Sequence, residues 1–248
     1  MAEARLDDLP GFRRRFRVVP EAGLVRTAVE DDYHHMAVTL HHDGAAITQV
    51  EPEMIRIPWT TCPGAVAVLV DSFTGMPLDE ASRTTAEKQQ NCTHLFDLAV
   101  LGAAHAGDDA PLTYDILSCD AVDGEVTAEL RRDGEPVLRW SHERFTLTAP
   151  EEVAGQSLFK LGDWIKSLSP ERQEYARILR WGTILANGRD ISDRVRTDKS
   201  KLPIGQCYTF QEKNRGSACY IEGTTRDFSS GRDGPLAEET AGAAEPAE

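Results

Sequence analysis

Two cysteines, each standing where a helix should begin, are the residues most able to do chemistry. Cys62 lies in Pro-Trp-Thr-Thr-Cys-Pro-Gly (58–64) and Cys92 in Asn-Cys-Thr-His-Leu (91–95), both after extended chain. A helix N-terminus presents unpaired N–H groups and partial positive charge, which favour a thiolate and lower a thiol pKa by about one to several units. Such thiols act as nucleophiles or metal ligands. His94 follows Cys92 closely, and Asp97 lies about one helical turn after His94, where a carboxylate can accept a hydrogen bond and orient the imidazole. The competing reading is that Cys62 and Cys92 only fill space beneath the helix starts, since cysteine is among the most often buried residues.

Histidines 34, 35, 41 and 42 resemble a metal cluster, but alternation along an extended chain sends His34 and His42 to one face and His35 and His41 to the other. Of these, His34 has the fairest claim to an acid–base or ligand role. Trp59, beside the Cys62 turn, is a candidate wall for an apolar substrate pocket or an anchor of the core. If a metal is held, the donor set is Cys62, Cys92 and His94, with His34 as a fourth, and zinc or iron suits it. Cys119, Cys207 and Cys219 have no Cys-x-x-Cys spacing and read as structural. There is no Gly-x-Ser-x-Gly elbow, phosphate-cradling Walker loop or dinucleotide fingerprint, so no nucleotide cofactor is expected.

These residues must be positioned by strands and short helices. Residues 12–60 alternate as antiparallel strands, with Met36, Val38 and Leu40 on a core face and Asp43-Gly44 supplying a hairpin turn. Asp123-Gly124 and Asp133-Gly134 repeat that turn signal and predict a second run of strands over 112–147. Helices are expected from Cys62-Pro63 to Gly75, from about 92 to 105, and from Ser169-Pro170 to just before Gly188, with a further short helix within 158–168. The interval 189–205 reads as an irregular connection. Residues 1–228 are expected to form a single α+β domain, an antiparallel β-sheet with helices packed on one face. The last twenty residues, 229–248, read as a disordered acidic tail.

Composition narrows the partners. The 248 residues carry 41 acidic against 27 basic side chains, a formal charge of -14 that repels nucleic acid and anionic membrane surfaces. No apolar run approaches the roughly 18 residues of a membrane span, and no apolar stretch near the N-terminus marks a secretory signal. Five cysteines, an odd number in a chain of this length, point to reduced thiols and a cytoplasmic location. A small-molecule substrate is the expected partner; oligomeric state is not legible, and a homodimer fits as well as a monomer.

Arg-Ile-Pro-Trp-Thr-Thr-Cys-Pro-Gly-Ala (56–65), Gly-Met-Pro-Leu (75–78), Asn-Cys-Thr-His-Leu-Phe-Asp-Leu-Ala (91–99) and Gly-Gln-Cys-Tyr-Thr-Phe-Gln (205–211) resemble the bacterial family known as domain of unknown function 2889. That family implies no reaction. More distantly, the order of a hairpin, a cysteine opening a helix, a Gly and Leu ending it and a second cysteine opening another is similar, over 33–107, to the iron-sulfur scaffold and sulfur-acceptor superfamily. This likeness implies an IscU/SufE-like core with added strands and helices, and cluster or zinc binding at Cys62 and Cys92. Gly64, however, stands where that superfamily has an acidic ligand.

The expected function is a cytoplasmic enzyme, a lyase or hydrolase, acting on a small aromatic or carbonyl compound. In it Cys62 or Cys92 serves as thiolate or acid, His94 shuttles protons under the orientation of Asp97, and His34 is a second acid–base group. The alternative is a metal-binding or sulfur-handling accessory module of the scaffold type.

Overall fold

A computed structural model describes residues 5–189, 204–229 and 233–238. The fold is α+β. Eight strands form one sheet: β1 (Gly11–Glu21), β2 (Leu24–Asp31), β3 (His35–His42), β4 (Ile47–Arg56), β5 (Leu112–Cys119), β6 (Val126–Arg132), β7 (Glu135–Glu143) and β8 (Thr146–Ala149), in the order β4-β3-β2-β1-β5-β6-β7-β8. The helices among the described residues are α1 (Ala65–Phe73), α2 (Leu78–Ala81), α3 (Thr93–His105), α4 (Gly162–Ser167), α5 (Pro170–Ala186) and α6 (Glu212–Arg215), with short 3-10 turns between some of them. The contacts gather into two compact units: Phe16–Leu112 with Asp193–Arg226, and Met1–Arg15 with Thr113–Ser192 and Asp227–Glu248.

In the first of these units β2, β3 and β4 pair antiparallel, with Val25 opposite Leu40, Val29 opposite Met36, and Leu40 opposite Val50. Met36, Val38 and Leu40 are buried as the alternation requires. The Asp43-Gly44 turn forms because Asp43 Oδ1 accepts the amides of Ala45 and Ala46 while Gly44 takes a φ of 92° that a side chain would resist. Helix α3 lies on β2 and β3 at close range: a Cβ at Gly102 would come within 2.8 Å of Thr27 Oγ1. Helix α1 packs on β4, and Phe73 of α1 meets Phe96 of α3 edge to face at 5.1 Å.

The IscU/SufE-like core is not supported. The stretch 33–107 contains β3 and β4, but the other edge of β3 is paired residue by residue with β2, from Leu24↔His41 to Glu30↔His35. A two-residue turn, Ala22-Gly23, joins β2 in turn to β1, so the segment is not the self-contained small sheet that the likeness implied.

The second unit carries β5 to β8 as a meander, with Asp123 and Asp133 at φ 51° and the glycines after them at 92° and 86°, as tight hairpins demand. Helix α5 begins at Ser169-Pro170 as expected and buries Tyr175, Leu179 and Gly182; Trp140 of β7 donates its Nε1–H to Thr183 Oγ1 on this helix at 3.0 Å. Within the segment read as a tail, residues 233–238 are described. Leu236 is 1% exposed, and the Pro235 carbonyl accepts a hydrogen bond from Arg15 Nη1 at 3.4 Å. The remainder of the tail, and most of the connection read over 189–205, lie outside the described residues.

Candidate functional site

The turn between β2 and β3 is built around one carboxylate. Asp31 Oδ1 accepts the amides of Tyr33 and His34, each at 2.8 Å, and the ring Nδ1 of His34 at 3.1 Å, while the Asp31 amide donates to the His34 carbonyl at 2.9 Å. Aspartate favours this because its short side chain reaches the backbone two and three residues on. Asp31 is 0% exposed and His34 7%. Since the carboxylate accepts, the His34 ring carries its proton on Nδ1 when neutral and presents a lone pair at Nε2.

The turn is held from outside by Arg56, the last residue of β4. Its Nη1 donates to the carbonyls of Asp32 (3.1 Å) and Thr224 (3.0 Å), and its Nη2 to those of Asp31 (2.6 Å) and His34 (3.2 Å) and to Glu30 Oε1 (3.1 Å). Thus a single guanidinium fork ties the Asp31, Asp32 and His34 carbonyls of the turn to Glu30 and to the Thr224 carbonyl.

Against this turn stands the start of α3. The rings of His34 and His94 stack with centroids 3.9 Å apart and planes 28° from parallel. Asp31, His34 and His94 each bring one ligand-type atom within 4.8 Å of the others, the one such set among the described residues. His94 is partly exposed and the other two are buried, so this set opens outward at His94.

The cysteines fare differently from the expectation of activated thiols. Cys92 sits at the N-cap of α3 in extended conformation, and the Leu95 and His94 amides pull its pKa down, but burial outweighs them and pushes the thiol up to about 12. Its Sγ packs at 3.9 Å from Met36 Sδ. Cys62, at the 3-10 turn Cys62–Gly64 that precedes α1, is likewise raised by burial, against a smaller opposing pull from Thr209, whose Oγ1 lies 3.5 Å from its Sγ. Cys62 and Cys207 are both close enough to disfavour ionisation of Cys92. Yet Cys62, Cys92 and His94 do not form a convergent ligand set, so the donors do not fit a cluster or zinc held by these sulfurs. Helix starts do favour thiolates; here the dry surroundings win.

Two other expectations shift. Asp97 pairs with Lys88, whose Nζ lies 2.5 Å from Oδ1, and the carboxylate that orients an imidazole is Asp31, acting on His34. Trp59 is buried among Cys62, Phe210 and Ala218, edge-on to Phe210 at 5.3 Å and to Tyr220 at 5.5 Å, the anchor of a small core. The 205–211 segment returns to both cysteine turns: the Tyr208 amide donates to the Asn91 carbonyl at 2.9 Å, and the Tyr208 ring crosses Gly64 so closely that a Cβ there would sit 2.5 Å from its hydroxyl. Gly64, where the scaffold likeness wants an acid, is the residue that admits this ring.

Residues 13–106 match a family model described as protein of unknown function (DUF2889). Over that stretch the chain is similar to the DUF2889 family. The matched stretch contains Asp31, His34, Arg56, Cys62, Cys92 and His94, whereas Tyr208 and Thr209 fall outside it. No curated protein matches the chain. Among solved structures it is similar to a viral glycoprotein (15% identity, 78% of this chain and 61% of that one). It is also similar to the activating Ly49H receptor in complex with m157 (11%, 77% and 66%) and to m157 from mouse cytomegalovirus (12%, 77% and 60%). The chain spans 60 to 66% of the length of these structures, and a TM-score of 0.20 in each case carries no argument about this protein.

Burial predicts silence from the site cysteines. With a disulfide reagent at pH 7.5, exposed Cys219 reacts first, and Cys92, with a pKa near 12 in place of 9, reacts about 1,000-fold more slowly than an ordinary thiol. Mass mapping of the labelled peptides checks this; early labelling at Cys62 or Cys92 contradicts it.

Proposed function

We propose that this protein is an enzyme, a lyase or hydrolase, that works on a small carbonyl or aromatic compound by histidine acid–base chemistry. The observation that supports the reading is the Asp31–His34 pair facing His94: a buried carboxylate sets the tautomer of one imidazole, and a second imidazole lies in stacking contact with it. In this reading His34 Nε2 takes a proton from the substrate or from water, and His94, on the accessible side, returns one to the leaving group. In this reading neither Cys62 nor Cys92 is the nucleophile, a choice supported by burial, which raises both thiols. The roles expected of the thiols and of Asp97 pass to His34, His94 and Asp31.

The test begins with thermal-shift screening of carbonyl and aromatic acids to find a ligand, followed by turnover assays on the hits. General acid–base catalysis contributes about 10²–10⁴-fold, so His34→Gln and His94→Gln are each expected to lose turnover on that scale, with Cys62→Ser and Cys92→Ala close to wild type. Full turnover in both histidine variants sinks the proposal.

A further inference from the structure

We infer that Asp31, His34 and His94 form a binding site for a divalent transition-metal ion, with zinc as the chemically matched probe. This builds on the same residues as the acid–base reading and deepens it. Each of the three residues offers one nitrogen or oxygen within 4.8 Å of the other two. Zinc at its usual distances of about 2.0–2.2 Å from such atoms needs donors roughly 3.0–3.5 Å apart, so the set must contract by little more than about 1 Å. The His34 Nδ1–Asp31 Oδ1 edge is 3.1 Å; for both atoms to become donors, Nδ1 must release to solvent the proton it shares with Asp31 as the ion enters. Two imidazoles and a carboxylate are ligands that zinc, iron and manganese accept, and three protein ligands leave a coordination position for water or substrate, as catalytic sites do.

The surroundings are built to hold these groups. Asp31 is locked by two backbone amides, and its turn is clasped by Arg56 through the Asp31, Asp32 and His34 carbonyls. His94 projects from the first turn of a 13-residue helix that is packed on β2 and β3. The remaining motion concerns the rings alone. Their stacked planes, 28° apart, do not direct two in-plane lone pairs at one point, so the ion must tilt one ring against the other as it enters. His94, the partly exposed member, is the ring able to turn.

With an ion held there, His34 and His94 would be its ligands and the proton transfers would pass to the bound water or Lewis acid it would supply, chemistry consistent with a lyase or hydrolase acting on a carbonyl compound. It also differs in kind from a sulfur-ligated site, since all three donors are nitrogen or oxygen.

The experiment is zinc titration of chelator-treated, full-length protein by calorimetry, with X-ray absorption on the 1:1 complex. Expected are one stoichiometric site, a first shell of nitrogen and oxygen at about 2.0–2.1 Å, and a fall in affinity of at least about 10- to 100-fold in His94→Gln and in Asp31→Asn. His94→Gln, at a partly exposed position, is checked for native circular dichroism, and His34→Gln is the second variant should it misfold. Cys92→Ala and the double variant His41→Ala/His42→Ala are expected to bind as wild type. A sulfur shell at about 2.3 Å, no stoichiometric binding, or binding lost in the His41/His42 variant and kept in His94→Gln would overturn the proposal. Full turnover by the metal-free protein also overturns it while leaving the acid–base reading intact. Stoichiometric zinc in the wild type, lost in His34→Gln and His94→Gln while both variants keep full turnover, does the reverse.

Discussion

Replacing Arg56 with methionine is expected to destabilise the protein by about 3–5 kcal/mol, the range for removing one partner of a buried ion pair. The guanidinium is 9% exposed, and it donates to four backbone carbonyls and to Glu30 Oε1. Methionine fills much of the same volume but donates nothing. The Asp31, Asp32 and His34 carbonyls lose a donor in a place where water reaches them poorly, and the buried Glu30 carboxylate loses a cation at 3.1 Å, with the His35 ring more distant at 3.7 Å. Lysine should recover only part of the loss, because one ammonium cannot reproduce a planar fork that reaches both sides of a turn. Urea unfolding measures the effect, with the exposed Arg177→Met as a control expected within about 0.5 kcal/mol of wild type. A change below about 1 kcal/mol in Arg56→Met would show that the clasp is not needed. Because the same turn aims His34, zinc affinity should fall with stability in Arg56→Lys even where that variant remains folded.

The second large effect is a loss of stability in acid that traces to one histidine. His142 of β7 is 0% exposed, and neither ring nitrogen has a hydrogen-bond partner among the described residues. Burial therefore lowers its pKa from 6.5 to about 4, against a weaker upward pull from Glu125. In the folded protein the ring stays neutral down to about pH 4, whereas the unfolded chain takes up the proton near pH 6.5. Between those values the unfolded state binds more protons, so stability is full above pH 6.5 and declines as pH falls. At about 1.36 kcal/mol per unit, the loss from this residue between pH 7.5 and 4.5 is about 2.5 kcal/mol. His142→Leu, of similar breadth and without the titration, should lack that component while sharing whatever the carboxylates contribute. Urea midpoints of both proteins at the two pH values decide the matter. Parallel pH dependence of wild type and His142→Leu refutes the assignment.

His142 also shows how far local reasoning extends. It stands in the sequence as a histidine with no partner nearby, and that is its state in the fold, because a strand residue's neighbours come from adjacent strands and Val126 and Leu147 opposite it are apolar. His34 and His94 are each nameable from their setting, one at a strand end and one in the first turn of a helix. Their meeting is not, since stacking across the sheet and helix depends on how α3 lies on β2 and β3. Asp31 carries a readable signal outside the expected set: an aspartate three residues before a histidine in a short polar stretch between strands can cap its own turn. Arg56, Tyr208 and Thr209 carry none, as their roles arise from contacts across long separations in the chain.

The sequence by itself determined the turns, the strand alternation and the helix starts, because those follow from φ preferences, side-chain period and capping within a few residues. It also placed Cys62 and Cys92 at helix N-termini, where the local field does favour a thiolate. Only the tertiary structure decided which chemistry survives there. Burial depends on what packs over a residue, and for these thiols desolvation exceeds the pull of the helix start, while the carboxylate and two imidazoles gathered nearby from a turn and a helix keep their polar edges in play.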